Sequence, residues 1–356
     1  MKWKLLSLYE RDGDMTGRER VRAAMHYKPV DKAPLQYYYT PVGIYEHGEK
    51  INDLYATAPG DFEPFRRLDP VGPAPEDHDA EGRYFAQKTD EWGTVWDYRI
   101  FGITGMPSYY PLKDLDNLKN YKFPPLPPMS GPEFEADKRK MQEHQKQYYG
   151  SAGAGSLFER MIALRSDEEV LMDMVLGTPE QEELADRIAE YDRALVERAV
   201  ALGADGVGFG DDYGTERALL MSPKLWRSYI KPRLKYIFEP AVKAGLDIPF
   251  HSCGMIKDIL EDLREVGVTS IWPQLPAYDM KQLAHICREL GLAVAIHTDR
   301  ANAMTYGTPQ QVRDLVKREF DTFRMMEGGS WFYVEADNGF PFVNIEALVE
   351  TIREWR

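Results

Sequence analysis

A histidine and a cysteine that are separated by a single residue are the most informative chemical feature of this sequence. His251 and Cys253 follow an apolar stretch, and Gly254 comes next, before a segment with helical spacing. Residues two apart at the end of a strand point to the same side. Zinc accepts an imidazole nitrogen and a thiolate sulfur, so the pair predicts a site for one Zn²⁺ per chain. The alternative is a hydrogen-bonded buried histidine beside a small apolar thiol.

The third ligand of such a site must come from another strand end, because catalytic zinc has three protein ligands and an open position. Glu335 is the first candidate, since it ends the last predicted strand and Gly339 follows in a tight loop. Asp337 is the second candidate and Asp211 the third.

Cys287 would be a simpler third ligand, because it is the other cysteine of the chain. It shares a predicted helical face with Leu283, Ile286 and Leu290. That face should pack against the sheet, away from the ends of the strands. We therefore predict a core cysteine.

Polar residues follow five predicted strands. In a barrel of alternating strands and helices, the loops at the carboxyl ends of the strands converge on one cavity, so these residues predict an active site. The predicted catalytic residues are Asp211, Asp212 and His297. The predicted substrate contacts are Tyr213, Gln274, Tyr37 and Trp96. Solvated loop carboxylates and a hydrogen-bonded wall histidine are the alternatives.

The second half of the chain alternates short apolar stretches with longer amphipathic segments, which indicates βα units around a parallel sheet. The predicted strands are Gly206–Asp211, Ile248–Cys253, Thr269–Gln274, Leu292–His297 and Trp331–Glu335. The predicted helices are Pro223–Ala244, Met255–Val266, Met280–Leu290, Pro309–Glu327 and Asn344–Trp355. Further strands at Ala33–Tyr39 and Gln147–Ala152 favour an α/β fold, a (β/α)₈ TIM-type barrel. No Gly-x-Gly-x-x-Gly follows an early strand, so a dinucleotide-binding unit is not expected.

Residues 55–145 lack this alternation and are rich in proline, aromatic and charged residues. Trp92, Trp96 and Phe101 are too apolar for a solvated linker. We therefore predict an irregular cap or insertion over the barrel mouth, with a hairpin around Trp92–Phe101. The 356 residues would form a single barrel domain that carries this cap.

The composition is that of a globular protein, with 43% hydrophobic and 29% charged residues. A net charge of −14 argues against a nucleic-acid partner. No apolar run is long enough to span a membrane, and the first twelve residues lack the features of a signal peptide. We predict a cytoplasmic protein without a membrane partner, whose two cysteines stay reduced. A homodimer is compatible with these features.

Several motifs together resemble a known family. The chain is similar, over nearly its whole length, to the uroporphyrinogen-decarboxylase-like superfamily. Within it, the chain resembles the zinc-dependent methyltransferases that work with corrinoid proteins. The motifs are Met15–Val21, Pro29–Pro34, Asp90–Trp96, Gly208–Thr215, Ser222–Pro223, His251–Gly254, Gly307–Pro309 and Asn344–Ile345.

The resemblance implies a (β/α)₈ barrel, methyl transfer, and zinc held by His251, Cys253 and a residue at the end of the last strand. It also implies a corrinoid cofactor supplied by a separate partner protein. Thiol-activating members place a second cysteine where this sequence has Glu335, so activation of a thiol acceptor is not expected. One thiolate and one carboxylate make a harder site, which suits the oxygen of an ether or a phenolate.

Uroporphyrinogen decarboxylases also share an N-terminal arginine-rich motif that holds the substrate carboxylates. The matching region here is aromatic and uncharged, Gln36–Pro41, and carboxylates are best held by arginine. We therefore predict methyl transfer between a small, methoxylated molecule and a corrinoid protein. A metal-free decarboxylase or lyase, and a barrel that binds a ligand without turnover, are the alternatives.

Overall fold

A computed structural model describes residues 14–356. The predicted absence of a signal peptide rests on residues that lie outside this range. The described strands are β1 Leu35–Tyr38, β2 Ala86–Thr89, β3 Val95–Tyr98, β4 Met106–Tyr109, β5 Ser151–Gly155, β6 Gly206–Gly210, β7 Pro249–Ser252, β8 Ser270–Pro273, β9 Ala293–His297 and β10 Ser330–Glu335. The described helices are α1 Gly17–Met25, α2 Pro41–His47, α3 Glu49–Ala56, α4 Gly131–His144, α5 Phe158–Arg165, α6 Asp167–Leu176, α7 Pro179–Leu202, α8 Pro223–Ala244, α9 Leu260–Glu265, α10 Met280–Leu290, α11 Pro309–Phe323 and α12 Phe342–Trp355.

Seven parallel strands form one curled sheet in the order β1-β10-β9-β8-β7-β6-β5, with helices around it. This architecture confirms the predicted TIM-type fold, and in the described residues the sheet has seven strands where the prediction has eight. Asp61 and Phe62, which follow α3, lie near both edge strands. The amide of Asp61 donates to the carbonyl of Leu35 in β1 (2.7 Å). His144 Nε2 lies 3.0 Å from the Phe62 carbonyl and 3.2 Å from that of Tyr149, just before β5.

The interior of the barrel is filled by side chains that alternate along the strands. Ala293 and Ala295 of β9 face an inner cluster with Trp331 and Tyr333 of β10. Their neighbours in sequence, among them Val294, belong to the outer core between sheet and helices. Because side chains in a strand alternate with a period of two, the next inward residues are His297 and Glu335.

The helices begin and end largely where the sequence predicts. Asp279 and Thr308 cap α10 and α11 through their side chains, and Gly245 ends α8 in the left-handed conformation. The predicted start at Met255 is wrong, because α9 begins only at Leu260 after a short 3₁₀ turn. The amide of Met255 instead donates to the carbonyl of Thr215 (2.7 Å). Among the described helices, none has both the length and the apolar character needed to cross a membrane.

The region before α4 forms a separate three-stranded antiparallel sheet, β2-β3-β4. The predicted hairpin around Trp92–Phe101 has the wrong extent, because Trp92 lies in the turn between β2 and β3. Asp90 fixes that turn by accepting the amides of Trp92 and Thr94, both at 2.9 Å. The residues between β3 and β4 approach the barrel mouth.

Candidate metal centre

The carboxyl ends of the barrel strands surround a cavity of about 780 Å³. Ile100 and Ile103, from the segment between β3 and β4, form part of its wall. The predicted site residues that line it are His251, Cys253, Gln274, His297 and Asp337. The cavity therefore lies where the alternation of strands and helices predicts it.

Three side chains meet at the ends of β6 and β7. His251 Nε2 lies 3.4 Å from Cys253 Sγ and 3.6 Å from Asp212 Oδ1. One ligand atom from each of the three lies within 4.8 Å of the others. Within residues 14–356, no other three His, Cys, Asp or Glu side chains come together in this way.

The imidazole of His251 is held in one orientation. Its Nδ1 lies 2.9 Å from the carbonyl oxygen of Trp272, which can only accept, so Nδ1 carries the proton and donates. The Trp272 ring packs against the imidazole, with 4.1 Å between ring centroids. Burial lowers the pKa of His251, although the charge of Asp212 opposes this effect. Nε2 is therefore an unprotonated ligand that faces Cys253 and Asp212.

Cys253 and Asp212 are joined through the backbone, since the amide of Cys253 donates to Asp212 Oδ1 (2.7 Å). Burial raises the pKa of the Cys253 thiol to about 12, and the charge of Asp212 adds to the effect. A bound divalent cation would reverse this balance, because it stabilises a thiolate and a carboxylate together. One nitrogen, one sulfur and one oxygen donor within reach of each other fit Zn²⁺.

The loops that carry these residues pack backbone against backbone. Gly254 has φ of +71°, and a Cβ there would lie 2.3 Å from the carbonyl carbon of Gly214. Gly214 is also tightly packed, since a Cβ on it would lie 2.6 Å from the Met255 amide nitrogen. Glycine is required at these two positions, which bring Asp212 next to Cys253.

The neighbouring acid Asp211 points away from the cavity and is completely buried. It accepts the amides of Leu157 (3.2 Å), Phe158 (2.8 Å) and Glu159 (2.7 Å) at the start of α5. Tyr213 donates its hydroxyl to the same carboxylate (2.6 Å) and is also completely buried. Burial raises the pKa of Asp211 to about 6, and these hydrogen bonds oppose the rise. The structure thus places the predicted catalytic Asp211 and substrate contact Tyr213 in the core.

A second polar cluster lies at the ends of β9 and β10. His297 Nε2 is 3.7 Å from Glu335 Oε1, and Arg300 Nε is 3.3 Å from the same oxygen. Arg300 also pairs with Asp337. Burial raises the pKa of Glu335 to about 7, and Arg300 opposes the rise. Burial lowers the pKa of His297 to about 3, with Arg300 adding to the effect. Glu335 and Asp337 thus share an arginine and are not part of the group around His251.

The other predicted contacts are distributed over the molecule. Gln274 lines the cavity, and its Oε1 accepts the amide of Gly254 (3.0 Å). Tyr37 lies in the core, and its hydroxyl donates to the carbonyl of Ala58 (2.8 Å). Trp96 donates its ring N–H to Asp90 (3.0 Å) within the antiparallel sheet. Cys287 is completely buried on α10, which confirms the prediction of a core cysteine.

Sequence reasoning gave no role to three residues of the site: Trp272, Arg300 and Glu159. Trp272 precedes the predicted contact Gln274 by two residues, so the two-residue period of a strand could have identified it. Arg300 follows His297 by three residues, so its closeness in sequence to a predicted catalytic residue could have identified it. Burial raises the pKa of Glu159 to about 8, with Asp211 and Asp212 adding to the effect. Glu159 follows the end of β5 as the other site residues follow their strands.

Comparison with known proteins agrees with this architecture. Residues 140–355 match the family model described as uroporphyrinogen decarboxylase (URO-D). No curated protein matches the sequence. Among solved structures, a methyltransferase from Methanosarcina mazei is similar, with a TM-score of 0.63 and 18% sequence identity over 96% of this chain and 99% of that chain. At this identity the likeness shows a shared fold.

Proposed function

The chain belongs to the uroporphyrinogen decarboxylase family, and we propose that it is a zinc-dependent methyltransferase. It would move a methyl group between a small methoxylated molecule and a separate corrinoid protein. The observation that carries the proposal is that His251 and Cys253, which line the cavity, meet Asp212 within the distance at which the three could share one ion. The name of the methyltransferase from Methanosarcina mazei, which shares the fold, supports the same class of reaction.

The three side chains would hold one Zn²⁺, with Asp212 in the role that the sequence predicts for Glu335. When bound, the ion supplies a Lewis acid that makes the ether oxygen a better leaving group. His251 is suited to hold it because Trp272 fixes the imidazole tautomer. Asp212 is suited because no arginine or lysine in the described residues forms an ion pair with it, whereas Glu335 and Asp337 share Arg300.

The protein would contribute orientation and exclusion of water. Gln274 fixes the loop of Gly254 beside the substrate, and the apolar wall formed by Ile100, Ile103 and Phe340 would shield the ether from solvent. A Co(I) corrinoid on the partner protein would supply the electron pair that accepts the methyl group, and the electrons of the C–O bond would stay with the oxygen. No nucleophilic side chain of this chain would be needed.

A metal-free decarboxylase remains the main rival. For the family's named substrate, which carries many carboxylates, it would need many fixed cations. Gln36–Tyr39 offers none, and Arg217 and Arg300 are the two arginines among the residues that line the cavity.

The test uses zinc-loaded protein, a panel of methoxylated benzenes, and free cob(I)alamin as the methyl acceptor. We expect the absorbance of methyl-Co(III) to rise and one demethylated product to form per methyl transferred. Chelated protein and Cys253→Ala should be inactive. Full activity after chelation would contradict the proposal, as would release of CO₂ from carboxylated substrates without formation of methylcobalamin.

A further inference from the structure

Two arginines line the mouth cavity on either side of the strand that carries His251. Arg217 lies in the loop between β6 and α8, and Arg300 follows β9. Because the sheet order is β6, β7, β8 and β9, these loops flank the candidate metal centre. We propose that the substrate carries an oxyanion such as a carboxylate, which the two guanidinium groups bind. This inference rests on the proposed function, since it concerns the substrate of the same cavity.

Arg217 is a cation without an acidic partner. In residues 14–356 no ion pair joins its guanidinium to a carboxylate. Its loop is nevertheless ordered, because Thr215 Oγ1 accepts the amide of Arg217 (3.3 Å) and donates to the carbonyl of Ala218 (2.9 Å). The carbonyl of Thr215 also accepts the amide of Met255, which ties this loop to that of Cys253. An exposed, unpaired guanidinium on an ordered loop of the cavity wall is suited to bind an anion.

Arg300 is only partly used by its protein partners. Glu335 and Asp337 contact Nε and Nη2, while 51% of the side chain is exposed. Its loop is anchored on both sides of the arginine. Thr298 donates to the completely buried Glu319 (2.8 Å), and Thr305 Oγ1 donates to the carbonyl of Arg300 (2.7 Å). Arg300 lines the cavity, and its Nη1 has no hydrogen-bond acceptor in the described residues.

Carboxylates of the cavity wall would repel a bound anion and compete with it for the two arginines, to an extent that depends on their other partners. Asp299 is occupied by the amide and the side chain of Asn302 (3.0 and 3.2 Å). Asp337 is occupied by Arg300 and by the amide of Asn338 (2.8 Å). Glu216 has no such partner in the described residues, and it adjoins Arg217. Removal of the Glu216 charge should therefore strengthen anion binding.

Apolar side chains of the same cavity indicate the rest of the ligand. Trp272, Pro273, Leu275 and Phe340 line the same cavity. An apolar ring that carries one carboxylate would match both the wall and the bidentate geometry of a guanidinium. The ligand class is thus a small anionic ether with an apolar body.

The test measures binding of three methoxylated probes to the zinc-loaded full chain by calorimetry. The probes are 4-methoxybenzoate, neutral 4-methoxybenzyl alcohol and cationic 4-methoxybenzylamine. We expect the benzoate to bind at least about 10-fold more tightly than the alcohol, as for a charge-assisted hydrogen bond. Arg217→Gln should reduce this preference to what Arg300 alone supports, Arg217→Lys should keep more of it, and Glu216→Gln should increase it. Arg313→Gln, which removes a distant pair with Glu350, is the matched control and should change nothing.

Equal affinities for the three probes, a preference that Arg217→Gln leaves unchanged, or no binding of any probe would overturn the inference. These outcomes are separable from the fate of the proposed function, because binding is measured without a corrinoid. A charge preference without methyl transfer would leave the inference standing and remove the function. Efficient transfer from the neutral alcohol, without any preference for the benzoate, would do the reverse.

Discussion

The two sides of the barrel mouth carry similar residues in different electrostatic settings. After β6 and β7, His251 lies 3.6 Å from the carboxylate of Asp212. After β9 and β10, His297 lies 3.7 Å from the carboxylate of Glu335. The first side has a thiol but no lysine or arginine that pairs with Asp212 in the described residues, whereas the second has Arg300 between its acids.

This difference would suit one of the two similar sites, and not the other, to bind a metal. On the side of Glu335 the cation is built into the chain, so the carboxylates are already compensated. On the side of Cys253 the compensating charge is missing, and burial keeps the pKa of the thiol at about 12. Binding of Zn²⁺ would supply that charge, so the two sides should respond differently to each of the following changes.

Removal of the sulfur should have the largest effect. Cys253→Ala is expected to weaken zinc binding by more than about 100-fold. The substitution deletes a side chain that binds the metal directly, and not one that only orients a ligand. Competition with a chromogenic chelator measures this affinity. Cys287→Ala is the matched control, since that thiol is completely buried on α10. The control should lower the free energy of unfolding and leave zinc affinity unchanged; a loss of zinc there would contradict the assignment.

Removal of the built-in cation should destabilise the second side. Arg300→Gln leaves Glu335 and Asp337 without their partner. We expect a loss of about 1–2 kcal/mol in the free energy of unfolding, less than for a fully buried pair because Arg300 is half-exposed. The loss should shrink below pH 6, where Glu335, with a pKa of about 7, is protonated. Urea denaturation at pH 5.5 and pH 8 measures it, and a loss independent of pH would argue against this pairing.

The anchor of the Arg300 loop should reveal itself by the pH dependence of stability. Burial raises the pKa of Glu319 from its ordinary value of 4.5 to about 8. Between these values the folded state binds more protons than the unfolded state, so stability falls as pH rises. Glu319→Gln lacks this dependence and can still accept from Thr298. Its stability relative to the wild type should therefore rise between pH 5 and pH 8, by at most about 1.4 kcal/mol per pH unit. A constant difference over this range would be inconsistent with a buried, protonated Glu319.

The sequence predicts the fold better than the details of the site. Alternation along β9 and β10 places His297 and Glu335 inside the barrel, and the spacing of His251 and Cys253 places them together. Local pattern could not decide which of two adjacent acids faces the cavity. Asp211 is turned away from the cavity because its carboxylate accepts the amides of Phe158 and Glu159, which lie more than fifty residues earlier in the sequence. The pairing of Glu335 with Arg300 likewise depends on contact between loops of different strands.

The central claim is that zinc is held by His251, Cys253 and Asp212 rather than by Glu335. Zinc stoichiometry of freshly purified Asp212→Asn and Glu335→Gln, measured side by side with the wild type, tests it most directly. We predict one zinc per chain in the wild type and in Glu335→Gln, and a loss of zinc in Asp212→Asn. Full zinc in Asp212→Asn with none in Glu335→Gln would contradict the account.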